Sequence, residues 1–180
     1  ISLLKSQPSI KTICKKYPSG KLKKSLSEVI AELSERPLLL TLMSLCPLAD
    51  LELEKCLKKI RCDLLLSLSM PQHFPNAPAF QTSLALQCFT NEYIYSQTNE
   101  ENFALEALDL SVNEMLLRGE QPSPQAVLCL ASYKALNEYK WCDLLHLNKY
   151  IKEIFTRQII EPKKEQLLKK DIPAFQEIND

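Results

Sequence analysis

The sequence predicts an all-α protein, a compact bundle of about seven to nine helices. Apolar residues recur at spacings of three and four along most of the chain, as one buried face of a helix requires. The 180 residues include only two glycines, Gly20 and Gly119, so the residue that favours hairpin turns is almost absent. Residues that start and stop helices lie at the ends of the periodic segments, which agrees with the same fold class.

The first third of the chain is predicted to contain an irregular start followed by three helices. Residues 1–20 lack a clean period and include two prolines, so we interpret them as an irregular basic lead-in. Residues 22–33 carry apolar side chains at helical spacing, and Pro37 begins a short apolar helix. Asp50 is placed to cap the third helix, which is the clearest amphipathic segment and extends to about Ser69.

The middle of the chain is predicted to hold the central helix of the bundle. Residues 70–78 contain three prolines and form a loop. Residues 79–96 are apolar nearly all round, which is typical of a helix surrounded by other helices. Thr98 followed by Glu101 is a capping-box signature, and the helix that it begins is expected to end at Gly119.

The last third is predicted to contain three more helices, at residues 122–136, 141–147 and 149–160. Residues 162–170 are expected to form a polar turn. The chain is therefore predicted to divide into three parts: the lead-in at 1–20, a helical accessory domain at 21–170, and a linker toward a downstream domain at 171–180.

Composition excludes several kinds of site. The glycine-rich fingerprints GxGxxG and GxxxxGK[ST] are absent, so the sequence encodes no self-contained dinucleotide or P-loop site. Basic and acidic residues number 22 each. The seven lysines in residues 1–24 do not alternate repeatedly with aromatic residues, so we interpret them as solvated and expect no nucleic-acid partner. No run of about 18 to 20 uncharged apolar residues predicts a membrane span.

The cysteines are interpreted as reduced thiols of the core. There are seven, they are scattered among apolar neighbours, and none forms a CxxC pair. The closest two, Cys56 and Cys62, are too poorly aligned on a helix to begin a zinc site. We therefore expect no metal ion and a cytoplasmic location.

A small enzyme with a Cys/His pair is an alternative. His73 and His146 are the only histidines, and either could be paired with Cys88 or Cys142. No nucleophile elbow or other local signature surrounds these cysteines, so we do not favour this alternative. A distance beyond about 5 Å between sulfur and imidazole would exclude it.

Residues 87–95, QCFTNEYIY, concentrate polar groups on a predicted apolar helix. Buried polar groups need partners, so the segment forms either a structural network between helices or part of a groove for a peptide or substrate. Gln87 and Asn91 are predicted to be structural. At least one of the three other polar side chains is predicted to be exposed: Glu92, Tyr93 or Tyr95.

Three segments resemble a known family: LEKCLKKIRCDLL (53–65), LALQCFTNEYIY (84–95) and IIEPKKEQLLKKDIPAFQEIND (159–180). They resemble the helical region that precedes the catalytic domain in bacterial, tetratricopeptide-repeat-associated methyltransferases that use S-adenosylmethionine. That family is similar to the rickettsial outer-membrane-protein lysine methyltransferases. The matching segments occur in the family's order and cover about the second quarter and the end of the chain.

The resemblance implies a non-catalytic domain that positions a protein substrate or the adjoining methyltransferase domain, with S-adenosylmethionine bound by the downstream domain. It transfers no catalytic, cofactor-binding or metal-binding residue to this chain. The family-matched positions for contact with a substrate or partner are Arg61, Gln87, Asn91, Glu92, Tyr93 and Tyr95. The alternative is a free-standing helical interaction module of the repeat-solenoid type, which a regular pair-by-pair stacking of helices would favour.

Overall fold

Helices account for the regular secondary structure of the part of the chain that the structure describes, so the predicted fold class is confirmed. The computed structural model describes residues 4, 6–68 and 75–170, and these contain no strand. The α-helices are α1 (Pro8–Lys16), α2 (Leu26–Ser34), α3 (Pro37–Leu45), α4 (Leu51–Ser67), α5 (Pro78–Thr90), α6 (Asn99–Leu117), α7 (Pro124–Ala131), α8 (Lys152–Phe155) and α9 (Glu161–Lys170). Two 3₁₀ helices, Leu136–Glu138 and Cys142–Leu144, precede α8, and a π-helical turn, Thr156–Ile160, joins α8 to α9.

Side-chain caps begin several of these helices. Thr98 Oγ1 accepts a hydrogen bond from Glu101 N at 3.1 Å, and Glu101 Oε2 accepts one from Thr98 N at 2.9 Å, so the predicted capping box of α6 is confirmed. Asp50 caps α4 through a 3.0 Å bond from Leu53 N, also as predicted. Gly119 follows the end of α6 with a φ of 79°, a conformation that favours glycine.

The prediction of an irregular lead-in is wrong for Pro8–Lys16, which forms α1. Its buried residues Ile10, Ile13 and Cys14 lie on one face, and α1 packs against α4. Pro8 occupies the first turn, where the missing N–H of proline leaves no hydrogen bond unmade. Nine residues carry too few apolar positions for a clear periodic signal, so the helix depends on its contact with α4.

Helix α5 lies at the centre of the fold, as predicted. It packs against α2, α3, α7 and α8, and every residue from 80 to 88 is buried. Phe80, Leu84 and Cys88 belong to a core cluster shared with α1 to α4. Ala85 and Leu86 belong to a second cluster shared with α6, α7 and the segment that follows. Helix α5 therefore joins the two halves of the core.

The predictions for the end of α5 and for residues 162–170 are wrong. Helix α5 ends at Thr90 rather than at Ser96, because the backbone turns left-handed directly after it. The predicted polar turn at residues 162–170 is helical and belongs to α9. The π-helical turn ends two residues before Pro162, whose missing N–H leaves one position of the helical ladder without a hydrogen bond.

Residues 132–151 form turns and short 3₁₀ helices where longer helices are predicted. Asn148 Oδ1 accepts N–H bonds from Tyr150 at 2.9 Å and Ile151 at 3.2 Å in the turn before α8, which begins at Lys152. The predictions for residues 69–74, which include His73, and for the linker at 171–180 fall outside the described residues.

None of the described helices combines the length and apolarity that crossing a membrane requires.

Candidate functional site

A buried ion pair lies at the centre of the polar residues that the sequence singles out. Arg61 on α4 is completely buried, and its Nη2 lies 3.6 Å from Oε1 of Glu101, which is 1% exposed. The same nitrogen donates to Tyr95 O at 3.2 Å and to Ser96 O at 3.3 Å. One guanidinium therefore ties α4 to the start of α6 and to the segment that follows α5.

Two aromatic rings enclose this guanidinium. Arg61 Cζ lies 4.0 Å from the ring centroid of Tyr133 and 5.5 Å from that of Tyr95. The Tyr133 hydroxyl also donates to Glu101 Oε1 at 2.7 Å. Cation–π contacts and charge-assisted hydrogen bonds offset part of the cost of removing both charges from water. The geometry is that of a structural pair closed to solvent.

The surroundings of Glu101 keep its carboxylate charged. Burial raises its pKa, but hydrogen bonds from Tyr133 and from the Thr98 backbone, together with the charge of Arg61, outweigh burial. The pKa of Glu101 is therefore lowered from its ordinary value of 4.5.

The free energy of unfolding is expected to depend on the ionisation of Glu101. Because the pKa is lower in the folded state, the charged carboxylate stabilises the fold fully above pH 4.5, and this contribution is lost as the pH falls through the folded pKa. Denaturation of the wild type and of Glu101→Gln at about pH 6 and about pH 3 should show a stability difference that shrinks on acidification. A difference that stays constant would contradict the lowered pKa.

Gln87 braces the end of α3. In the orientation that satisfies both neighbours, its buried amide donates to Cys46 O at 3.1 Å and accepts from Leu48 N at 3.1 Å. Cys46 caps the C-terminus of α3, so Gln87 satisfies one of the carbonyls that a helix end leaves open. Asn91 is also buried, and its backbone N–H caps the end of α5 by donating to Gln87 O at 3.1 Å. The contacts of Gln87 agree with a structural role, whereas Asn91 Oδ1 is buried without a hydrogen-bond partner among the described residues, so the structural role of Asn91 stays a prediction.

Tyr93 is fixed by a side chain that sequence analysis missed. Its hydroxyl donates to Ala131 O at 3.3 Å and accepts from Gln158 Nε2 at 3.1 Å. Gln158 is completely buried in the π-helical turn; its Nε2 also donates to Ala131 O at 3.1 Å, and its Oε1 accepts from Leu136 N at 3.0 Å. A lone glutamine has no sequence signature, and only the fold brings it to a tyrosine 65 positions earlier.

Glu92 and Tyr93 form a left-handed turn directly after α5. Both have a φ of 57°, a conformation that costs a non-glycine residue about 1–3 kcal/mol. Tyr93 is half-buried and held by the bonds described above, whereas Glu92 is exposed. Ile94 is 66% exposed, so a carboxylate and an apolar side chain both reach solvent from this turn. Of the six predicted contact positions, four are buried: Arg61, Gln87, Asn91 and Tyr95.

An open groove of about 870 Å³ lies beside the first half of α5 and was not predicted. Helix α3 lines one side and residues 149–157 line the other. Helix α5 packs against both α3 and α8, and it contributes residues from Pro78 to Ser83. The groove and the left-handed turn therefore lie at the two ends of the same central helix.

The two candidate nucleophiles, Cys88 and Cys142, have raised pKa values, which does not favour nucleophilic catalysis. Burial raises the pKa of Cys88 to about 12, although the nearby charge of Arg61 acts to lower it. Burial likewise raises the pKa of Cys129 to about 12, and it raises the pKa of Cys142. A reactive cysteine needs a lowered pKa, so these thiols stay protonated at neutral pH. Within the residues that the structure describes, no group of three or more His, Cys, Asp or Glu is placed to hold a metal ion.

Comparisons with models of protein families, with curated proteins and with solved structures give no match for this chain. The resemblance of three segments to the methyltransferase family therefore stays a prediction.

Proposed function

We propose that this chain is a non-catalytic helical domain of a methyltransferase that uses S-adenosylmethionine to modify protein lysines. The domain positions the protein substrate or the neighbouring catalytic domain, and the methyl donor binds in that catalytic domain. The enzyme class comes from the resemblance at residues 53–65, 84–95 and 159–180. The seven cysteines, which all lie in the described part of the chain, form no disulfide, and this supports a reducing, cytoplasmic location for the enzyme.

The positioning role is inferred from the left-handed turn at Glu92 and Tyr93, which is held in place by buried residues. Glu92 and Ile94 are exposed beside a tyrosine whose hydroxyl is bonded to Ala131 and Gln158. A surface that orients a partner must itself be held in place, because small misplacements weaken transfer strongly. Strained non-glycine residues persist where the surroundings fix them, and they concentrate at functional sites.

The repeat-solenoid alternative finds no support in the packing of the helices. In a solenoid each repeat contacts only its neighbours, whereas α5 packs against four other helices from both halves of the chain. Helices α2, α6 and α7 have 9, 19 and 8 residues, which is far from a regular repeat.

The test uses the full-length protein that contains this chain. The double variant Glu92→Ala/Ile94→Ser is compared with the wild type on an array of lysine-containing peptides supplied with radiolabelled S-adenosylmethionine. We expect transfer to fall at least about tenfold while the affinity for S-adenosylmethionine stays unchanged. The free energy of unfolding of the isolated chain should change by less than about 1 kcal/mol, since both side chains are exposed.

The matched control is Glu114→Ala/Leu117→Ser, which removes the same kinds of exposed side chain from α6. It should transfer methyl groups at the wild-type rate. A full-length protein that binds no S-adenosylmethionine would refute the enzyme class. Unchanged transfer by the Glu92/Ile94 variant would refute the role of the turn.

A further inference from the structure

The groove beside α5 has an apolar side that nothing in the described fold covers. Leu40 and Leu45 line it from α3, and Leu45 is 68% exposed. Pro78 and Ala79 extend the apolar surface at the start of α5. An apolar segment of a bound partner would remove these side chains from water.

The opposite side of the groove is basic. Lys149, Lys152 and Arg157 line it together with a single acid, Glu153. Arg157 Nε lies 3.2 Å from Glu161 Oε2, so its charge is partly balanced. Among the described residues, neither lysine has a carboxylate within ion-pair distance, and Lys149 Nζ lies 4.8 Å from the ring centroid of Tyr150. The two ammonium groups are therefore unpaired among the described residues, and Glu153 on the same side offsets one of their two charges.

A nearly buried threonine adds a hydrogen-bond donor at α5. Thr82 and Ser83 line the groove and are 8% and 6% exposed. Ser83 Oγ lies 3.2 Å from Ser44 Oγ, whose single proton is donated to Leu40 O at 3.0 Å, so the Ser83 hydroxyl is engaged with Ser44. Within the described part of the chain, the Thr82 hydroxyl donates to no protein acceptor. Buried donors of this kind are satisfied by a ligand oxygen or by water.

We propose that this groove binds an acidic segment of a partner protein. An apolar side chain of the segment packs against Leu45, carboxylates lie near Lys149 and Lys152, and one of its oxygens accepts from Thr82. The volume of about 870 Å³ lies within the usual range of ligand clefts, about 300–1,000 Å³. This site goes beyond the proposed function, because it uses none of the residues of the Glu92–Ile94 turn.

A displayed library of random peptides, selected on the complete 180-residue chain, tests the proposal. We expect the enriched peptides to combine Asp or Glu with Leu, Ile or Phe. Fluorescence anisotropy with a labelled enriched peptide should show at least about tenfold weaker binding to Lys149→Glu/Lys152→Glu. Added salt should weaken the wild-type complex, because exposed charges are screened.

The control variant is Lys21→Glu/Lys23→Glu, which changes the net charge equally at two exposed positions outside the groove. It should bind the labelled peptide within about twofold of the wild type. Enrichment of neutral or basic peptides, absence of any enrichment, or an equal loss of binding in the control variant would overturn the proposal. Light scattering that shows a dimer broken only by the groove variant would assign the groove to a second copy and overturn it as well.

Discussion

Replacing Arg61 with Met is expected to destabilise the fold by about 3–5 kcal/mol. The substitution preserves much of the side-chain bulk but leaves the carboxylate of Glu101 buried without its cation. It also removes the donor to Tyr95 O and Ser96 O. Urea denaturation followed by circular dichroism measures the effect. Lys55→Met, at an exposed position of the same helix, should change the free energy of unfolding by no more than about 0.5 kcal/mol.

A double-mutant cycle isolates the interaction between the two charges. Arg61→Met and Glu101→Gln each leave one partner of a buried pair without the other. The double variant should therefore lose less stability than the sum of the single variants. Strict additivity would show that the two side chains are not energetically paired.

Replacing Gln158 with Ala is expected to cost about 3 kcal/mol, because a buried polar group left unsatisfied costs about 1–3 kcal/mol. The amide of Leu136 would lose its acceptor, and the Tyr93 hydroxyl would lose a donor. Gln166→Ala, at an exposed position of α9, is the control and should be nearly neutral. Amide hydrogen exchange at Leu136 should accelerate only in Gln158→Ala. Unchanged exchange there would contradict the bond to Gln158.

The elements that were predicted correctly have signals that are local in the sequence. Thr98 and Glu101 lie three residues apart and cap α6 with their own atoms. Helix α5 is apolar nearly all round, and this pattern alone predicts a central place in the bundle. The end of α5 could not be predicted in this way, because residues 91–95 contain neither glycine nor proline. The turn depends on bonds that Tyr93 makes with Ala131 and Gln158, which are distant in the chain.

The candidate sites were less predictable for the same reason. Arginine is usually exposed, and nothing near Arg61 in the sequence indicates that Glu101 and two aromatic rings enclose it. Within the segment 84–95 that the resemblance singles out, the structure distinguishes buried side chains, Gln87 and Asn91, from the exposed Glu92. The groove combines α3, α5 and residues 149–157, three segments whose proximity only the tertiary fold establishes.

Calorimetric titration with S-adenosylmethionine, applied both to the full-length protein and to this chain alone, tests whether the methyl donor binds outside this chain. We expect the full-length protein to bind the methyl donor and the isolated chain to bind it with a Kd weaker than about 10 μM, or about −7 kcal/mol. A full-length protein that shows no binding, or an isolated chain that binds more tightly than this limit, would contradict the assignment of this chain as a non-catalytic domain of a methyltransferase.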